Sequence, residues 1–144
     1  MTQQPGTATL MFIAHRDAES RVMAALARAG VTDVTVAQSR LLQRLNPGGS
    51  RLTDLAEQTR VTKQTAGALV DQLERAGYVV RRPDPSDARA RLVTLSDRGA
   101  DLCRTAAQEV ARVERQWRDH LGRESFETLR EALISLREIS DPYR

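Results

Sequence analysis

The chain has 144 residues, 40% hydrophobic and 28% charged, with a formal net charge of +3. That length supports one substantial domain, and so small a charge excess means that a polyanion could be bound only where basic residues gather locally. A single cysteine, Cys103, excludes an intrachain disulfide or a cysteine-rich metal site.

Residues 1–7 read as a polar start without regular structure. A first helix is predicted over about Thr9–Ala29, carrying Phe12, Ile13, Val22, Met23 and Leu26. Thr35 is placed to cap a second, over about Val36–Leu45, which turns Leu41, Leu42 and Leu45 to the core. Asn46-Pro47-Gly48-Gly49-Ser50 is loop chemistry. A third helix is predicted over Thr53–Arg60 with Thr53 as its cap. Asp54 and Glu57 lie toward the positive end of its dipole, and Leu55 and Ala56 face inward. The chain then turns at Arg60-Val61.

Thr62 caps the fourth helix, whose apolar residues Ala66, Leu69, Val70, Leu73 and Ala76 step by three and four and so form one stripe. The opposite side begins with Lys63, Gln64, Thr65, Gly67 and Ala68, which are small or hydrogen-bonding and leave room to enter a groove. Gln64 carries the donor–acceptor pair that suits adenine, and Lys63 reaches guanine or phosphate. Thr62 and Thr65 can donate to phosphate oxygens near the helix N-terminus. Such a face equally suits a helix that meets only water.

Gly77 ends this helix and Tyr78–Arg82 reads as a strand. Pro83-Asp84-Pro85-Ser86-Asp87 is turn chemistry, and Arg89–Leu95 returns as a second strand. Arg81, Arg82, Arg89 and Arg91 thus collect on one ribbon. Four guanidinium groups there would repel one another without a counterion, which a nucleic-acid backbone supplies; Asp84 and Asp87 could neutralise part of that charge instead. Two short helices, a turn and a basic hairpin in this order describe a winged helix-turn-helix spanning 35–99.

Ser96 is placed to cap a long helix from Asp97 to about Leu121, roughly 37 Å at 1.5 Å per residue. Leu102, Ala106, Val110, Val113, Trp117 and Leu121 line one side of it. Gly122 stops it, and Ser125–Ile139 forms a last helix with Phe126, Leu129, Leu133 and Leu136 inward. The apolar faces of 9–29 and 97–140 need a surface, either each other or a second copy. A two-fold dimer would satisfy them and also read a two-fold DNA site. The expected fold is therefore mainly α with a small β-hairpin, a single domain of residues 1–144 whose winged helix-turn-helix core is flanked by N- and C-terminal dimerisation helices.

The residues Gln38, Leu55-Ala56, Thr62-Lys63-Gln64-Thr65, Leu69-Val70-Asp71-Gln72-Leu73-Glu74, Gly77, Arg81-Arg82-Pro83-Asp84-Pro85, Asp87-Ala88-Arg89 and Leu95-Ser96…Gly99 resemble the multiple antibiotic resistance regulator (MarR) family. The resemblance is dense from about Thr35 to Gly99. It implies a homodimeric transcription regulator, more often a repressor than an activator. It also implies a roughly palindromic double-stranded operator and often release by a small-molecule effector. It makes Arg89 the wing arginine of the minor groove and Asp87 its orienting partner. The DNA-binding set is then Thr62, Lys63, Gln64, Thr65, Ala68, Arg81, Asp87, Arg89 and Arg91. A family effector pocket between the first, second and long helices would place His15, Arg16 and Gln38 near it, although His15 and Arg16 equally suit a solvent-facing or dimer-rim position. The chain departs from the family at Thr59-Arg60, where Leu-Gly is common, and at Gly67-Ala68, where larger polar residues are common.

Cys103 reads as a buried structural thiol. His15 and His120 are far apart with no ligand spacing, and no nucleophile constellation or phosphate-cradling glycine loop is present. Neither metal, cofactor nor enzymatic activity is expected. No stretch reads as a secretory signal or membrane span, so the expected compartment is the cytoplasm. The other class of function open to this pattern is a winged-helix protein-interaction module whose basic hairpin meets an acidic partner.

Overall fold

The computed structural model describes residues 3–143; Met1 and Thr2, the beginning of the segment read as unstructured, and Arg144 lie outside them. Gln3–Gly6 has no regular structure. Helix α1 runs over Thr7–Arg28, α2 over Val36–Leu42, α3 over Leu52–Thr59 and α4 over Lys63–Arg75. Strands β1 (Val79–Asp84) and β2 (Asp87–Leu95) follow, then the long α5 (Asp97–Leu121) and α6 (Arg123–Ser140). The fold is mainly helical with one antiparallel hairpin, as the residue pattern predicts.

Local hydrogen bonding sets most of the boundaries. Thr35 accepts the N–H of Gln38 at 3.2 Å while the Gln38 side chain accepts the N–H of Thr35 at 2.9 Å, a reciprocal capping box. Thr62 accepts the N–H of Thr65, and Ser96 that of Gly99, each at 3.1 Å. Thr53 does not cap α3. That helix starts one residue earlier, with Arg51 at the cap position and no side-chain cap bond. Leu52 packs against the core, and its burial outweighs the preference of threonine for a cap. Helix α2 stops short of the predicted Leu45, because Arg44 and Leu45 close it with turn bonds to the carbonyls of Leu41 and Leu42.

Both breaks of the helix-turn-helix use the same device. At the end of α4 the N–H of Tyr78 bonds the carbonyl of Leu73, and that of Gly77 bonds Glu74. Gly77 takes φ +84° to allow this Schellman closure. The end of α3 repeats it with Val61 on Ala56 and Arg60 on Glu57. Here, however, the left-handed residue is Arg60, with φ 57° and ψ 39°.

One core holds the lobe together. Leu41 and Leu42 of α2, Leu55 of α3, Val70 and Leu73 of α4, and Tyr78, Val79 and Val93 of the hairpin are buried. They pack with Val22 and Leu26 of α1 and Leu102 of α5. The hairpin pairs in step from Val79↔Leu95 to Pro83↔Arg91, then slips so that Asp84 faces Asp87. Its turn is therefore shorter than the five residues expected, since Pro83, Asp84 and Asp87 belong to the strands. At its root, Ser50 and Val93 exchange backbone hydrogen bonds at 3.0 and 2.8 Å.

The start of α5 lies hard against the start of β1. A Cβ on Gly99 would sit 2.0 Å from the Tyr78 carbonyl oxygen, a separation that no side chain tolerates. The buried Tyr78 ring is covered by the Arg98 guanidinium at 4.4 Å, and its hydroxyl donates to Asp33 at 2.5 Å.

Not every predicted stripe is covered. Helix α6 begins at Arg123 rather than Ser125 and buries Phe126, but Leu129, Leu133 and Leu136 are 39–44% exposed. Leu10, Met11, Phe12 and Ile13 on α1, Val110 and Leu121 on α5, and Ile134 and Ile139 on α6 are exposed as well.

Two substitutions test these backbone constraints. Arg60→Gly relieves a left-handed arginine and should stabilise the fold by about 1 kcal/mol, read from urea unfolding. Gly99→Ala should cost at least about 2 kcal/mol. A neutral Gly99→Ala would mean that the α5–β1 contact is loose.

Candidate nucleic-acid interface and effector cavity

Helix α4 is held from behind and open in front. Ala66, Val70 and Leu73 are buried, whereas Lys63, Gln64, Thr65 and Ala68 are exposed beside the exposed cap Thr62. Thr62 Oγ1 both accepts the Thr65 N–H and donates to Thr65 Oγ1 at 3.0 Å, so the Thr65 hydroxyl proton remains available to an outside acceptor. Gly67 faces Leu52 of α3, where an added Cβ would lie 3.6 Å from its Cδ2. That is ordinary contact, so the small side chain here is not forced by packing.

The four hairpin arginines are not equivalent. Arg81 turns back to α4, with its guanidinium 2.7 Å from Asp71 and 2.9 Å from Glu74. Only 20% of its side chain is exposed. The mutual repulsion expected of four free guanidinium groups is thereby reduced from within the protein. Arg82, Arg89 and Arg91 are exposed, and none makes an ion pair among the described residues. Asp87 meets Arg89 through the backbone: its Oδ1 accepts the Arg89 N–H at 3.0 Å, which shapes the turn. The other turn carboxylate, Asp84, is nearly buried and accepts from Arg51 and Ser86. The hydroxyl and N–H of Ser86, with Arg51, hold its carboxyl below the usual range. Arg51 and Asp84 lie 33 residues apart, and no local spacing signals their pairing.

Behind this lobe a cavity of about 1070 Å³ opens between α1, α2, α5 and α6. Its walls are mainly aliphatic, with Trp117, His15 and Glu19 among them. Of the three residues assigned to a pocket from the sequence, only His15 lines it. Arg16 is exposed outside. Gln38 is buried in the α2 capping box and donates through Nε2 to Gln72 of α4 at 2.8 Å. Its two polar ends are thus spent on structure. The polar group that sequence reasoning missed is Glu19, which accepts two hydrogen bonds from Arg40 at 2.8 Å and lies 3.6 Å from His15. The Arg40 hydrogen bonds outweigh burial and hold the Glu19 carboxyl below its usual range. Cys103 lines the same cavity, half-buried, and burial pushes its thiol pKa up.

Among the described residues no helix is long and apolar enough to cross a membrane.

Comparisons with known proteins agree with this geometry. A family model described as MarR family matches residues 32–90, from just before α2 to the wing. The HTH-type transcriptional regulator FarR of Neisseria gonorrhoeae is 30% identical over 117 residues, covering 81% of this chain and 78% of FarR. The transcriptional repressor CouR, solved bound to a 23-mer DNA duplex, superposes with a TM-score of 0.68 at 27% identity, over 91% of this chain and 92% of CouR. NadR, solved in complex with 4-hydroxyphenylacetate, superposes with a TM-score of 0.70 at 26% identity, over 96% and 98% of the two chains. A polar-tipped helix beside a wing with three unpaired arginines, on a chain this similar to known regulators, leads to one conclusion: the chain belongs to the MarR family of DNA-binding transcription regulators.

Proposed function

We propose that the protein acts as a homodimer on a roughly palindromic operator, as a repressor in the cytoplasm. Each subunit lays the Thr62–Ala68 edge of α4 in a major groove and Arg89 of the wing in the adjacent minor groove. The observation that carries this reading is the division of charge on the lobe. Arg81 and Arg51 are neutralised by carboxylates of the protein, while Lys63, Arg82, Arg89 and Arg91 point outward unpaired on the same lobe. Unpaired guanidinium groups release counterions when they meet phosphate, and this release drives association. Gln64 then supplies hydrogen bonding to a base edge, for which an acidic protein partner would have no use.

The dimer is supported by the uncovered apolar side chains of α1, α5 and α6. Phe12 and Ile134 are more than half exposed and Ile139 is 87% exposed, side chains that a second copy would cover. Two copies related by a two-fold axis would cover one another and present two α4 helices to successive turns of DNA. Repression is supported by the likeness to CouR.

The cavity behind the lobe suits a small effector with a largely apolar body, the kind of ligand NadR holds in its complex. Release would be a population shift. An effector bound better by a dimer with misplaced α4 helices draws the protein away from DNA by the ratio of its two affinities.

Selection from a random duplex library should recover an inverted repeat. On that site Arg89→Ala should weaken binding and reduce the slope of log affinity against log salt by about two, about one for each subunit. Arg81→Ala, whose partner charges lie within the protein, should leave the slope unchanged. Gln64→Ala should relax preference at one base position per half-site, with a discrimination loss of about 1–3 kcal/mol. Equal slopes for wild type and Arg89→Ala would remove the wing from the interface.

A further inference from the structure

The wing is fastened to the helix-turn-helix by a contact that spends two charges on the protein itself. Asp84 sits at the slip in the hairpin register, with a side chain only 7% exposed, and the residues on either side, Pro83 and Pro85, are exposed. Its Oδ1 accepts the N–H and the hydroxyl of Ser86 at 2.9 and 2.7 Å, which fixes the turn. Its Oδ2 accepts the Nε–H of Arg51 at 2.9 Å and lies 2.7 Å from Nη2. Arg51 is the cap residue of α3, and its carbonyl accepts the first helical N–H, that of Leu55. A guanidinium rooted at the first turn of α3 thus holds the turn end of the wing, while the Ser50–Val93 bridge holds its root.

A carboxylate among arginines on a DNA-facing lobe works against binding by simple electrostatics, since it lowers the local positive potential. A near-buried carboxylate held by a half-exposed guanidinium at the turn end of the wing has a geometric use instead. We propose that Arg51 and Asp84 are positioning residues that fix the angle of the wing to α4, and so the distance at which Arg89 meets DNA while Thr62–Ala68 occupies the neighbouring groove. This rests on the assignment of Arg89 to the interface. A pre-set wing avoids the entropy of ordering the hairpin tip on binding, and fixes which groove spacing both elements reach together.

The sign of one substitution separates this role from electrostatics. Asp84→Asn adds one unit of positive charge to the lobe, so charge alone would tighten DNA binding. The clamp predicts the opposite, a loss of roughly tenfold on the selected inverted repeat. The titration uses fluorescence anisotropy with the full chain, and melting curves confirm that each variant is folded. Arg51→Met should give a similar loss and keeps the test open if Asp84→Asn fails to fold. In an Arg89→Ala background neither substitution should cost anything further, because a positioned group with nothing to position is silent. Tighter or unchanged binding by Asp84→Asn would overturn the proposal, as would losses that simply add to that of Arg89→Ala. An inert Arg89→Ala would instead sink the underlying assignment of the wing, and an inert Asp84→Asn beside an impaired Arg89→Ala would sink the clamp alone.

Discussion

The joint at Tyr78 carries the architecture. Within a few residues α4 ends, the wing begins and α5 departs, and the three are locked by backbone contact rather than by side chains alone. The carbonyl of Tyr78 accepts the N–H of Ser96, the Ser96 hydroxyl donates to the carbonyl of Gly77, and Gly99 has no Cβ to block the approach. Arg98 completes the joint by covering the Tyr78 ring and bonding its hydroxyl at 3.0 Å. Through this joint α4, the wing and the long helix leading to the apolar chain ends are in direct contact.

Electrostatics then decides which parts of the lobe face a partner. The chain is nearly all arginine among its cations, so residue type does not show which charges serve the structure; pairing does. Arg40 is committed to Glu19, Arg51 to Asp84, Arg81 to Asp71 and Glu74, and Arg44 joins Gln58 of α3 and Asp141 beyond α6. The ribbon side chains left over, with the first turn of α4, make a compact cationic edge on a chain of low net charge. Such an edge suits a polyanion at short range.

The sequence was most legible where cause and effect lie within four residues. The caps at Thr35, Thr62 and Ser96, the glycine stop at Gly77 and the buried stripe of α4 are local matters. Helix α3 shows the limit: Thr53 is the better cap by residue type, but the pull of Leu52 into the core moved the boundary. The candidate site was legible in outline, through the polar edge of α4 and the arginine hairpin. It was not legible in detail, because Arg81 reaches acids seven and ten residues back and Arg51 one 33 residues on. Gln38 had a polar side chain in the right region for a pocket, yet capping and the bond to Gln72 consume it. Glu19 had no sequence signal at all, since its partner Arg40 comes from another helix.

The central claim is that one edge of this lobe, the tip of α4 together with the outer wing, is the surface that meets DNA. Amide chemical-shift mapping of the labelled chain, on adding a short duplex carrying one selected half-site, tests it most directly. The account predicts the largest changes at Thr62–Ala68 and at Asp87–Arg91, with the core residues Leu41 and Leu55 unmoved. Changes confined to α1 and α6, or spread evenly over all exposed arginines, would contradict it.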